Sequence, residues 1–167
     1  MVILCTVDGD QSPSQVVETG YDLAQHYDRD LVVLHVMPQE LFDEIHSADP
    51  WKEQGVDESW RYRNLPQREE EHSDRRRFTV EDAQQTAQRL ARRVTNETLG
   101  DWENISFVGV IGNPSEEIIR ETEERDPAYL VIGGRKRSSL NEALFGSTSR
   151  RIMRTIDLPV VSIYREE

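Results

Sequence analysis

Apolar runs and helical patterns alternate along this chain of 167 residues, and the alternation restricts its fold more than any other feature. Short apolar runs predict buried strands, and the stretches between them place apolar residues at helical spacing. The resulting order β-α-β-α-β-α-β-α-β is typical of a parallel sheet whose strands are joined by helical crossovers. The five predicted strands are 2–7, 31–37, 104–111, 128–133 and 159–164.

The predicted helices begin at cap residues that precede apolar residues at helical spacing. Ser12 followed by Pro13 is a typical helix start, and so is Asn113 followed by Pro114 and then Glu116. A cap-like Thr79 precedes the helix before the third strand, and the last helix is predicted over 147–156. One stripe of each of the first two helices should be buried: Val16, Val17, Leu23, Ala24 and Tyr27, then Ala83, Ala87, Leu90, Ala91 and Val94.

Residues 38–78 interrupt this pattern after the second strand. The segment holds 11 acidic and 7 basic residues, together with Trp51 and Trp60. Connections of this length are uncommon inside one domain unless they form a lid, a binding loop or a disordered segment. We therefore expect a single domain over 1–167 with a long insertion at 38–78. The insertion is either a solvated loop with a short helix or two, or a surface for an unknown protein partner that uses the tryptophans.

The composition argues against several classes of function. A net charge of −12 disfavours general nucleic-acid binding, which needs a basic face. Lys52 and Lys136 are the only lysines, and an acidic, lysine-poor chain suits concentrated salt, so we expect a halophilic, cytoplasmic protein.

No apolar run approaches the ~20 residues that cross a bilayer, and the opening run is too short for a signal peptide. The only cysteine, Cys5, lies in an apolar run, so we expect it to be buried as a small apolar side chain. The spacing of the histidines is not typical of metal ligands.

Residues 131–151 form the strongest candidate for a binding site. An apolar strand ends at Gly133, and the cations Arg135, Lys136 and Arg137 follow in an otherwise acidic chain. A Gly-Ser-Thr sequence at 146–148 then opens a helix, whose free backbone N–H groups attract phosphate. The stretch therefore predicts a phosphate-type ligand between a strand end and a helix start. The alternative is that the cations pair with surface acids, which stabilises a protein little.

The carboxyl ends of the predicted strands supply further candidates. Parallel α/β sheets bind ligands outside these ends, at the point where the strand order reverses. Thr6, Val7 and Asp8 end the first strand, Val36 lies near the end of the second, and Gly133 ends the fourth. The Asp8 carboxylate suits a ribose hydroxyl and equally suits capping of the following turn.

These segments together resemble the universal stress protein family over nearly the whole chain. The resemblance is carried by the opening strand ending in Thr-Val-Asp, the strand LVVLHV, the Gly-Asn-Pro at 112–114, the stretch 131–151 and the closing LPVVSI. It implies a five-stranded parallel open sheet flanked by helices, of the nucleotide-binding, Rossmann-like α/β type. It also implies a homodimer formed through strand five, residues 159–164.

One group of that family binds ATP through the pattern Gly, two residues, Gly, nine residues, Gly and then Ser or Thr; the other group lacks the pattern. On this sequence the pattern falls on Gly133, Lys136 and Gly146 followed by Ser147, so a lysine replaces the middle glycine. Glycine allows a close backbone approach to phosphate. Two outcomes stay open: the Lys136 ammonium reaches the phosphates, or its side chain fills their space.

The resemblance implies a regulatory or stress-response protein that binds ATP or a related adenine nucleotide, with Mg²⁺ as a candidate companion ion. The alternative is a dimeric interaction protein of the same family that does not bind nucleotide. HxGH and SGGxD motifs of nucleotidyl-transfer enzymes are absent from the sequence, so we expect no enzyme, although slow ATP hydrolysis stays open. The implied nucleotide-binding residues are Thr6, Val7, Asp8, Val36, Gly133, Arg135, Lys136, Arg137, Gly146, Ser147, Thr148 and Ser149.

Overall fold

The computed structural model describes residues 1–8, 14–47, 78–135 and 146–165. Their strands form one parallel five-stranded sheet in the order β3-β2-β1-β4-β5. The predicted α/β fold is therefore confirmed, and each strand boundary lies within two residues of its predicted place. The strands are β1 (Ile3–Thr6), β2 (Leu31–Pro38), β3 (Ile105–Gly112), β4 (Tyr129–Arg135) and β5 (Val160–Arg165).

Helices cover both faces of the sheet, which explains why its central strands are apolar on both sides. The helices are α1 (Ser14–Tyr27), α2 (Gln39–Ser47), α3 (Val80–Leu99), α4 (Pro114–Arg125) and α5 (Ser147–Thr155). Val16 of α1 and Leu90 of α3 pack on one face of the sheet. Ile118 of α4 and Ile152 of α5 pack on the other. The result is a three-layer domain.

Helix α3 lies directly on β3 at a glycine. All five predicted stripe residues of α3 are buried, as expected from their spacing. A Cβ atom placed on Gly109 would collide with the backbone of Gln84 and Gln88 in α3. Glycine is therefore required here for close contact between helix and strand.

The predicted stripe of α1 is right except at its end. Val16, Val17 and Ala24 are buried and Leu23 is partly buried, but Tyr27 is 45% exposed. The helix ends at Tyr27, just before Asp28 with its positive φ of 52°, and Tyr27 contacts Tyr129, the first residue of β4, instead of the core. Its ring stacks on that of Tyr129 at 5.4 Å between centroids, and their hydroxyl oxygens are 3.2 Å apart. The hydrogen bond with Tyr27 raises the pKa of Tyr129.

Side-chain caps begin α3 and α4 as the sequence predicts. Thr79 caps α3 in a reciprocal arrangement with Asp82. Asn113 caps α4 by accepting from the N–H groups of Ser115 and Glu116. The Glu116 carboxylate accepts a hydrogen bond from Arg151 of α5 at 3.0 Å, which links the first turn of α4 to the middle of α5. The predicted cap at residues 12 and 13 lies outside the described residues.

The first part of the 38–78 insertion is helical. Helix α2 follows β2 without a break and buries Phe42 against Met37 and Ala83. The His46 ring nitrogen Nδ1 lies 2.6 Å from the carbonyl oxygen of Phe78, so the last turn of α2 meets the end of the insertion. Residues 48–77, with both tryptophans, lie outside the described residues. Across the described ranges, no helix is long and apolar enough to span a membrane.

Candidate functional site

The candidate site is a notch in the carboxyl-terminal edge of the sheet, where the central strand β1 stops before its neighbours. Pairing of β1 ends at Thr6, which lies opposite Leu34 of β2 and Ile132 of β4. Strand β2 continues with β3 to Pro38, and β4 continues with β5 to Arg135. At about 3.3 Å per residue, the two walls rise about 10–13 Å above Thr6, and they stand about 10 Å apart because one strand is missing between them.

The notch is also the switch point of the sheet. From β1 the chain moves outward through β2 to β3, whereas β4 and β5 lie on the opposite side of β1. Ligands of doubly wound sheets bind at this point. The geometry therefore places the notch where a ligand is expected.

Val36 presents its backbone to the notch from the β2 side. In a parallel strand, the N–H and C=O of one residue point to the same neighbouring strand, and successive residues alternate. The Leu34 carbonyl accepts from the Val7 N–H at 2.9 Å, so the Leu34 peptide groups face β1. Val36, two residues later, faces the same way, and β1 no longer pairs there. One backbone donor and one backbone acceptor of β2 are thus directed into the notch.

Gly133 is the corresponding residue on the β4 side. The Leu130 N–H donates to the Pro159 carbonyl at 3.0 Å, toward β5, so the backbone of Gly133 faces β1 by alternation. Pairing with β1 ends one residue earlier, at Ile132. The Gly133 carbonyl therefore faces the notch, and the residue itself is half-buried.

Val7 and Asp8 form the floor of the notch. Val7 is buried and Asp8 is exposed. The Val7 carbonyl oxygen lies 2.7 Å from Nδ1 of His35, a buried side chain of β2. Because a carbonyl oxygen only accepts, Nδ1 carries the proton. Sequence reasoning gave His35 a structural or solvated role and missed this contact, although His35 is the one polar residue in the run LVVLHVM.

The start of α5 is the last part of the candidate site at the carboxyl-terminal edge of the sheet. The crossover from β4 to β5 brings this start to the same edge of the sheet as the notch. Helices α3 and α4 are capped by side chains, whereas α5 begins at Gly146 with no side-chain cap among the described residues. The first N–H groups of a helix without such a cap are available to an anion. Ser147 is exposed here and Ser149 is buried.

The structure places most of the predicted residues along this edge. Five of them belong to the notch and four to the start of α5. Arg135 ends β4, and its backbone is described. Lys136 and Arg137 lie outside the described residues. The notch and α5 residues are Thr6, Val7, Asp8, Val36, Gly133, Gly146, Ser147, Thr148 and Ser149.

Metal and thiol chemistry find no support in the described part of the chain. No group of three or more His, Cys, Asp or Glu side chains there is arranged to hold a metal ion. Cys5 is buried, and burial raises the pKa of its thiol to about 12. Its thiol donates to the Val16 carbonyl at 3.4 Å, which confirms the predicted structural role.

A doubly wound parallel sheet with a notch at its switch point defines a Rossmann-like α/β domain. The sequence model of the universal stress protein family matches residues 1–163, and the chain belongs to that family. No curated protein matches the chain.

Solved structures share the fold at low sequence identity. A universal stress protein from Archaeoglobus fulgidus is 18% identical with a TM-score of 0.57, and the match covers 97% of each chain. A universal stress protein in complex with cAMP is 13% identical with a TM-score of 0.58, covering 98% of this chain and 96% of that one. A third, from Archaeoglobus fulgidus in complex with dAMP, is 16% identical with a TM-score of 0.53, covering 97% and 96%.

Proposed function

We propose that this chain binds an adenine nucleotide in the notch and acts as a regulatory, stress-response protein by binding rather than by turnover. Membership of the universal stress protein family supports the role. Two proteins of the same fold were solved with cAMP and with dAMP, which supports the adenine nucleotide as ligand. ATP and AMP-type ligands share the adenine, the ribose and the first phosphate, which are the groups that the notch would recognise.

Gly146 is the observation that carries the proposal. Its φ of −58° and ψ of 163° suit any residue, so the backbone does not require glycine. A Cβ atom there would meet no atom of the described residues within 4 Å, so packing does not require glycine either. A side chain at this position would, however, stand in front of the first N–H groups of α5, which no side chain of the described residues caps. The glycine is explained by close approach of a phosphate.

The base and the ribose fit the two remaining sides of the notch. Adenine offers an acceptor at N1 and a donor at its exocyclic amino group, and these complement the N–H and C=O of Val36. The Asp8 carboxylate at the end of β1 then accepts from a ribose hydroxyl. This assignment places the phosphates toward Gly133 and the start of α5.

The phosphates would be held by backbone N–H groups and by cations. Ser147, Thr148 and Ser149 supply the N–H groups at the start of α5. Arg135 at the end of β4 and the next two residues, Lys136 and Arg137, supply positive charge in a chain of net charge −12. Mg²⁺ would neutralise the remaining charge of a triphosphate.

The remaining parts of the proposal concern assembly and environment. Strand β5 is an edge strand that pairs with β4 alone in the sheet, which supports a homodimer formed through residues 159–164. The two tryptophans of the insertion support a further protein partner. The acidic, lysine-poor composition supports a salt-rich cytoplasm.

The proposal is tested by calorimetric titration of the full chain with ATP and with AMP, in concentrated KCl with and without Mg²⁺. We expect saturable binding that Gly146→Ala weakens at least about tenfold, because the methyl group displaces phosphate. The variant should lose no more than about 1 kcal/mol in its free energy of unfolding, which is the scale by which glycine is preferred to alanine at an N-cap. Absence of saturable binding to the wild-type chain would refute the proposal.

A second candidate, an interaction protein that binds no nucleotide, is favoured by Lys136 at the place of the middle glycine in the family pattern. Lys136→Gly separates the two functions, with Lys52→Gly as the control that removes the other lysine. If Lys136 binds phosphate, its replacement weakens ATP binding and the control does not. If Lys136 blocks the site, its replacement creates ATP binding that the wild-type chain lacks.

A further inference from the structure

We infer that His35 is a positioning residue that keeps the Val36 peptide open for the base and thereby sets base specificity; the inference rests on the proposed function. The side chain is buried, and its Nδ1 lies 2.7 Å from the Val7 carbonyl oxygen. In a continued parallel ladder, that oxygen would accept from the N–H of Val36. His35 supplies a donor from its side chain in place of that backbone donor.

The register shows that the ladder stops at this point. Pairing between β1 and β2 ends at Thr6 and Leu34, and the last bond of the ladder runs from the Val7 N–H to the Leu34 carbonyl. The next bond, from the Val36 N–H to the Val7 carbonyl, would add a further pair to the register. Val36 and Val7 are both within the described residues, and no such bond joins them. The strand pairing therefore ends at the carbonyl oxygen that receives the imidazole donor.

The hydrogen-bond requirement of the Val7 carbonyl explains what the side-chain donor of His35 does. A buried carbonyl needs a donor, and the Val7 carbonyl would otherwise take the nearest backbone N–H. Because His35 already supplies one donor to this carbonyl, the Val7 carbonyl does not require the Val36 N–H, which stays available to a ligand. An acceptor atom such as N1 of adenine fits this donor, whereas hypoxanthine presents an N–H at the same place. His35 thus selects for a base with an acceptor at N1.

The test compares ATP and ITP by calorimetry on wild type, His35→Phe and His35→Asn. We expect wild type to prefer ATP by about tenfold, the scale of one mismatched hydrogen bond. Phenylalanine keeps the ring but lacks the donor, so its ATP-to-ITP preference should fall to about one. The asparagine amide nitrogen occupies the place of Nδ1, so His35→Asn should restore the preference. His26→Phe, the same change at an exposed residue of α1, should leave it unaltered.

Two NMR measurements on the ligand-free chain test the contact itself, and the first needs only the wild-type chain, so it stands even if His35→Phe folds poorly. The nitrogen spectrum of the wild-type imidazole should show the proton on Nδ1. The Val36 amide should exchange with solvent at equal rates in wild type and in the His26→Phe control. It should exchange more slowly in His35→Phe, where it can donate to the Val7 carbonyl. A proton on Nε2 alone, or an unchanged ATP-to-ITP ratio in His35→Phe, would overturn the inference. If wild type binds neither nucleotide, the proposed function fails while the NMR result still decides the contact.

Discussion

Single residues of one type carry different roles in this chain, and the backbone decides which. Gly109 lacks a side chain because α3 lies on it. Gly146 lacks one although neither its conformation nor its described neighbours demand it. Burial does not separate the roles either: His35 and Cys5 are both buried, yet His35 contacts the Val7 carbonyl where a strand pairing ends, while Cys5 fills the core. Residue type alone therefore does not separate a functional position from a structural one.

Cys5 gives a direct prediction at this scale. Burial raises the pKa of its thiol from 9.0 to about 12, so the folded protein keeps it protonated and unreactive at neutral pH. We expect Ellman's reagent to label the native chain only at the rate of unfolding, and to label it at once in urea. The raised pKa also means that stability present below pH 9 is lost as the pH rises toward 12. Rapid labelling of the native chain at pH 8 would contradict the burial of Cys5.

Contacts between elements decide how closely the layers pack. Gly109→Ala would force α3 away from β3, since the added methyl group meets the helix backbone rather than a movable side chain. We expect a loss of about 3 kcal/mol in the free energy of unfolding, measured by urea denaturation. Gly146→Ala is the matched control, with a change below about 1 kcal/mol. Equal effects of the two changes would contradict the described packing.

The start of α4 gives a second prediction at the scale of elements. Asn113→Ala removes the side-chain oxygen that accepts from two N–H groups, so the free energy of unfolding should fall by about 1 kcal/mol. The neighbouring Glu116→Ala removes an exposed ion pair with Arg151 and should cost about 0.5 kcal/mol or less. Thermal denaturation of both variants checks the order. A larger loss in Glu116→Ala would show that the link between α4 and α5 outweighs the cap.

The whole fold could be predicted because its signals are local and repeated. Apolar runs located all five strands, and cap residues located the starts of α3 and α4. The error at Tyr27 arose because spacing gives the face of a helix but not where the sheet beneath it ends.

The notch could be predicted only in part. Its residues lie at strand ends, which the sequence shows, but its depth depends on β1 ending at Thr6 while β2 and β4 continue. Register between strands distant in sequence has no local signal. For the same reason the contact between His35 and Val7, 28 residues apart, was not foreseen.

The central claim is that the notch and the start of α5 form one nucleotide site, and amide chemical-shift mapping tests it most directly. A ¹⁵N-labelled chain is titrated with AMP and then with ATP, with Gly146→Ala titrated in parallel. We predict that the largest AMP shifts fall on Val7, Asp8, Val36 and Gly133 and extend to 147–149, and that the 147–149 shifts shrink in the variant. Saturable shifts confined to other parts of the chain, or no shifts at all, would contradict the account.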